Sequence, residues 1–189
     1  MKTLLKRVAL SALCLMPLSA FSADYVIDTS GAHASVNFKV SHLGYSYIIG
    51  RFNQFSGTFS YDPEAIESSS VSVTVDTTSL DSNHSERDKH LRGSKFIDAS
   101  KYSTATFVSK SVEDKGDGKL LITGDMTLHG VTRSETLEAN LVGAGKDPWG
   151  GERAGFEAKT RLQLDDYGIK PVGATTYVDL DIVFEGIKQ

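Results

Sequence analysis

Five histidines, His33, His42, His84, His90 and His129, are the side chains best suited to hold a metal or move a proton near neutral pH. His84 and Asp88 are four residues apart, as are Glu86 and His90, in a stretch that reads as a helix. Each pair therefore shares a face. A metal site needs at least a third ligand, and neither an HExxH pattern nor a paired-histidine motif supplies one. A solvated, charged helix surface is the simpler account. No GxSxG elbow, phosphate loop or dinucleotide fingerprint occurs, and the carboxylates show no spacing diagnostic of glycoside hydrolysis. The sequence assigns no catalytic residue, no metal site and no cofactor.

Other residues suit contact rather than reaction. Arg87, Lys89 and Arg92 would attract an anionic head group if their helix stood at the mouth of a cavity; ordinary solvation explains them more simply. Trp149, in Asp147-Pro148-Trp149-Gly150-Gly151, reads as a loop anchor, with a carbohydrate-stacking platform as its rival. Cys14 is the single cysteine and lies in an N-terminal stretch with the parts of a secretory signal peptide. Lys2, Lys6 and Arg7 are followed by the mostly apolar Val8–Phe21 and the small residues Ala20, Ser22 and Ala23. The expected leader is residues 1–22, and the chain after it (23–189) has no thiol for a disulfide, a zinc site or nucleophilic catalysis.

Beyond that leader 17 basic residues face 24 acidic ones, a charge of about -7 that repels phosphate backbones and argues against nucleic-acid binding. No later apolar run approaches the length of a membrane-spanning helix. The elements that must position any site read as strands. Val36, Phe38 and Val40 alternate with polar residues, as do Phe55, Phe59 and Tyr61, and Val71, Val73 and Val75. Leu120, Ile122, Met126 and Leu128 share a face, and so do Leu137, Ala139 and Leu141; Phe156, Ala158 and Leu162 form another set, and Val178, Leu180, Ile182 and Phe184 the last. With Ala105–Ser109 they make eight half-buried antiparallel strands in one domain. Asp117-Gly118, His129-Gly130 and Gly143–Gly151 mark turns. Asn83 with Glu86 suggests a capping box, and Gly93 a stop, for a short helix over His84–Arg92. Asp165–Gly173 reads as a turn or a single helical turn.

Three late strands of 11 to 13 residues favour a tall closed barrel over a two-sheet sandwich. The inward faces mix small residues (Gly57, Ala105, Ser109, Gly124, Ala139, Gly143, Ala154, Ala158) with phenylalanines. This pattern fits equally an interior filled by its own side chains and an apolar channel for a slender guest.

Several runs resemble the YceI family of secreted bacterial proteins. They are His33-Ala-Ser-Val-Asn-Phe-Lys-Val-Ser-His42-Leu-Gly-Tyr, Thr78–Arg92, Lys95-Phe-Ile-Asp98, Gly124-Asp-Met-Thr-Leu-His-Gly-Val-Thr132, Asp147–Phe156 and Asp166-Tyr-Gly-Ile169. Together they span essentially the whole chain after the leader. The resemblance implies an eight-stranded antiparallel lipocalin-like barrel with one short helix. It also implies a periplasmic location and a polyisoprenoid or quinone-like lipid as partner, carried or stored inside the barrel, with no catalytic residues. Phe38, Phe59, Phe107, Ile122, Met126, Phe156, Leu180 and Ile182 are the expected ligand-binding positions. An enzyme acting on such a lipid, or a solid barrel with an interaction role, are the alternatives; the oligomeric state, a homodimer included, is left open.

Overall fold

The structure is a computed structural model that describes residues 23–170, Gly173 and residues 175–189. The leader expected over residues 1–22, Cys14 included, lies outside them. The strands are β1 (Ala23–Ile27), β2 (Ser35–His42), β3 (Ser46–Phe52), β4 (Phe55–Tyr61), β5 (Ser70–Asp76), β6 (Leu80–Asp81), β7 (Thr104–Asp114), β8 (Lys119–Leu128), β9 (Val131–Lys146), β10 (Glu152–Gln163) and β11 (Tyr177–Lys188). They pair in the order β1-β4-β5-β7-β8-β9-β10-β11, and β1 closes the ring on β11.

Three of the eight ring positions are broken strands. Tyr25 to Ile27 face Lys188 to Gly186 of β11, and after an excursion through 28–34, Ser35 to Lys39 of β2 resume along Val183 to Asp179. In the same way β3 runs on into β4, and β6 extends β5 past a 3-10 turn at Thr77–Ser79, where the Asp76 carboxylate accepts from the Thr78 amide at 2.8 Å. The result is a closed, eight-stranded, up-and-down antiparallel barrel, as the long late strands and the family resemblance imply. Each of the eight strands read from the sequence occupies a different ring position.

Local chemistry sets the corners. Asp117-Gly118 and His129-Gly130 both have positive φ (53° and 75°, 53° and 74°), the left-handed pair whose twist matches that of the flanking strands. His129-Gly130 is a two-residue hairpin turn, while the other loop has three residues, Gly116 included, with the Lys115 amide donating to the Lys119 carbonyl. The one α-helix among the described residues, α1 (Ser85–Arg92), is capped differently from expectation. His84, not Asn83, is the N-cap, its Nδ1 accepting from the Arg87 amide at 3.3 Å. Asn83 is left-handed (φ 61°), and its amide donates to Asp81 at 2.8 Å, so its side chain is not at the helix start. Gly93 ends the helix as expected. The stretch 165–173 holds the 3-10 turn Asp165–Tyr167. The hairpin tip near Trp149 is tied down by Asp147, which accepts from the amides of Trp149 and Gly151 at 2.9 and 2.8 Å. Trp149 itself is 80% exposed, so it does not anchor the loop.

The 28–34 excursion is clamped to the wall. Arg153 Nη1 donates to Asp28 at 2.8 Å and to Glu185 at 2.7 Å, and its Nε to Asp147 at 3.0 Å; Ser30 and Gly31 donate to the other Asp28 oxygen. The Arg153 guanidinium above all, with Ser30, holds the buried Asp28 carboxyl at about 2, against an ordinary 3.8. The clamp therefore favours the folded state at pH above about 4, and that contribution fades as the pH falls through about 2. Asp28→Asn should cost about 2 kcal/mol in urea unfolding at neutral pH, with the gap to the native chain closing in acid; a gap independent of pH would contradict this assignment.

The interior is divided along the barrel axis. At the lower end Tyr25 stacks on Phe59 (4.8 Å between ring centroids), Phe59 meets Phe156 and Phe184 (5.7 and 5.3 Å), and Tyr61 meets Phe156 (5.3 Å). Small residues make room for these rings. A Cβ on Gly186 would lie 2.3 Å from Phe59 Cε1 and 2.8 Å from Tyr25 Cβ. Two of the expected inward small residues do not contribute. Gly143 lies on an exposed extension of β9 with open space where a side chain would be, and Ser109 sits at a bulge where its hydroxyl accepts from the Val71 amide at 2.9 Å.

Candidate functional site

Above this aromatic plug the barrel is hollow. The cavity measures about 840 Å³, within the range of small-molecule sites. Its wall follows from the period of two along each strand. On β11 Phe184, Ile182, Leu180 and Val178 climb from floor to rim; Val71, Val73 and Val75 do so on β5, Ile122, Met126 and Leu128 on β8, and Val36, Phe38 and Val40 on β2. From Val178 to Phe184 is about 20 Å of strand. Both readings of the inward face are thus realised, one above the other.

Six of the eight expected ligand-binding positions, Phe38, Phe107, Ile122, Met126, Leu180 and Ile182, line this cavity. Phe59 and Phe156 do not. They belong to the plug beneath it, because Gly186 and the small Ala154 let their rings meet across the axis. The sequence reading missed how much of the rim comes from outside the strands: Leu91, Phe96 and Ile97 after and within α1, and Leu164 and Ile169 around the 3-10 turn, complete the upper wall. Leu91, Phe96 and Ile97 were visible as apolar residues in an otherwise charged stretch. Nothing in their spacing indicates which cavity they close.

Polar groups gather at the mouth. Arg87, Lys89, Lys95 and Lys170, with His42 and His90, are on the lining, and among the described residues no carboxylate is. Arg87 and Lys89 are already engaged. Arg87 Nε donates to Ser82 Oγ at 2.7 Å and a terminal nitrogen to the Ser82 carbonyl, while Lys89 pairs with Glu86 at 2.6 Å. Arg92 is not on the lining; it donates to the carbonyls of Thr78 and Asp88. Lys95 and Lys170 are exposed on the lining.

The histidine and carboxylate pairs of α1 have structural uses. His84 caps the helix, and Asp88, buried, accepts from the Ser82 amide at 2.8 Å. Asp28, His33 and Glu185 bring ligand atoms within 4.8 Å of one another, but on the outer wall, where the Arg153 guanidinium already supplies the positive charge. Tyr167, fully buried beside the rim, donates to Glu135 at 2.8 Å, and burial with that partner pushes its phenol above the ordinary range. What the arrangement can do is enclose an apolar chain from one end and leave its other end at a basic opening.

Solved structures share this architecture. BcnA of Burkholderia cenocepacia superimposes with a TM-score of 0.76 at 20% identity, over 84% of this chain and 98% of its own. A YceI protein of Campylobacter jejuni does so at 0.72 and 29% identity, over 85% and 96%. A domain from Saccharophagus degradans, described as polyisoprenoid binding and implicated in plant cell wall breakdown, matches at 0.63 and 16% identity, over 89% and 100%; for that domain, as for BcnA, the likeness shows the fold alone. Among sequences, UPF0312 proteins of Vibrio cholerae and Vibrio parahaemolyticus are 61% and 62% identical over 189 residues, all of each chain. With the model of the YceI-like domain matching residues 25–185 as well, the chain belongs to the YceI family.

Proposed function

We propose that this protein binds a single long isoprenoid lipid, or a related amphiphile, tail-first in the barrel, and serves as a carrier or store rather than as an enzyme. The one-ended apolar cavity of about 840 Å³ carries the reading. Each methylene moved from water to such a wall gains about 0.8 kcal/mol, so affinity grows with chain length until the floor at Phe184 is reached. The polyisoprenoid-binding description of the Saccharophagus degradans domain, which has the same fold, supports a lipid of this class. The leader-like residues 1–22 support export, and with it a periplasmic place of action in the handling of isoprenoid lipids such as quinones.

Native mass spectrometry of protein purified gently from cells tests this. The expected spectrum shows the chain with one bound lipid of polyprenyl composition. Preparations made in contact with membranes that repeatedly give only the bare chain, and that take up no added polyprenol, would overturn it.

A further inference from the structure

The β2–β3 hairpin at the open end turns through Leu43 and Gly44, both left-handed (φ 54° and 81°), with the Tyr45 amide donating to the His42 carbonyl at 3.0 Å. Asn-Gly or Asp-Gly suits such a turn; a leucine there is strained. That leucine is also 55% exposed, and Tyr45 beside it 89%. Tyr47 and Ile49, on the outer face of β3, are likewise exposed. Four large apolar side chains within seven residues therefore stand in water beside the mouth, where a lone exposed leucine would be unremarkable. The tip is held in place: Thr175 Oγ1 donates to the Ser41 carbonyl at 2.6 Å, and Gly173 lies against Leu43.

The charge at this opening is opposite in sign to that of the chain. Residues 23–189 carry about -7, yet among the described residues the lining at the mouth holds cations and no carboxylate. Nearby acids are engaged or off the lining. Glu86 pairs with Lys89, Asp88 with Ser82 and Asp98 with Ser100, while Asp165 and Asp166 lie outside it.

We propose that the open end of the barrel docks on an anionic lipid bilayer. The Leu43–Tyr45 hairpin sits at head-group depth, and Lys95 and Lys170 face the lipid phosphates. An exposed apolar wedge flanked by cations is the combination an anionic interface attracts, and it is continuous with the cavity. A chain could then pass between membrane and barrel without exposing its apolar length to water. The inference rests on reading the cavity as a lipid site.

Flotation of the chain from residue 23 with vesicles tests it. The protein should float with vesicles of equal parts phosphatidylglycerol and phosphatidylcholine, and far less with phosphatidylcholine alone. Lys95→Gln with Lys170→Gln should lower binding to the anionic vesicles on the order of tenfold, as should added salt. Tyr45→Ser with Tyr47→Ser should lower binding several-fold while uptake of a fluorescent apolar probe is unchanged, which separates failed docking from a failed cavity. Leu43→Asn should raise the melting temperature yet weaken flotation, an outcome no folding defect produces. The absence of flotation, or equal flotation of all variants, overturns the proposal. So does a dimer that the tyrosine variant splits while flotation persists, since that outcome makes a second copy the occupant of this face.

Discussion

Ala158→Trp should abolish uptake of long isoprenoid chains while the barrel stays folded. Ala158 is 2% exposed, lies on the cavity wall and pairs across β10 and β11 with Ile182, midway between floor and rim. An indole there fills existing empty space, so the overpacking that usually accompanies a larger core residue is limited. For a ligand, the lower cavity is cut off. Excluding as few as four methylene equivalents removes about 3 kcal/mol, or more than a hundredfold in affinity. A short-chain analogue reaching only the upper wall should lose far less. Titration of polyprenols of increasing length against native and variant protein reads both effects; an unchanged length dependence would mean the chain is bound elsewhere.

Phe156→Ala and Leu180→Ala should separate the plug from the wall. Phe156 touches three other rings in a close-packed region and is 4% exposed. Its truncation should cost about 3–5 kcal/mol in denaturant unfolding, the ordinary penalty for an aromatic removed from a filled core. Leu180 already faces empty space on one side and has fewer contacts to lose, so about 1–2 kcal/mol is expected, below the usual range for a buried leucine. Ligand should reverse the order of importance, because Leu180→Ala removes contact area from the guest and Phe156→Ala does not. Equal costs in the empty protein would mean the interior is uniformly packed.

Those two residues also show how far the sequence carried. Both alternate correctly, and both point inward. Period-2 patterning places a side chain on a face but says nothing of its height along the axis or of what stands opposite, and Phe156 lies in the plug only because Gly186, Ala154 and the bulge at Gly155/Phe156 bring β1, β4, β10 and β11 rings together. Phe38, Phe107, Ile122, Met126, Leu180 and Ile182 lie higher and line the hollow. β3 was missed for a related reason. Ser46-Tyr-Ile-Ile-Gly-Arg-Phe52 has large apolar residues on both faces, Tyr47 and Ile49 outward and Ile48 and Phe52 inward, so no alternation marks it. The turns at Asp117-Gly118 and His129-Gly130 were legible because a positive φ at two successive residues demands particular chemistry. His84 as N-cap was not, since an imidazole is an uncommon cap and Asn83 beside it is a common one.

The basic residues were legible as a group but not in their roles. Arg87, Lys89 and Arg92 cluster in sequence, yet all three hold the helix to itself or to its neighbours. Lys95 and Lys170, 75 positions apart in the chain, meet on the same lining. Only closure of the ring brings them there.

A crystal structure of the protein with a long polyprenyl lipid tests the central claim most directly. Continuous tubular density is expected from the ring of Phe184 up past Ile182, Leu180 and Val178, with the polar end among Lys95, Lys170 and His42. A barrel whose own side chains have collapsed into that space, with the lipid on an outer face or absent, would contradict it.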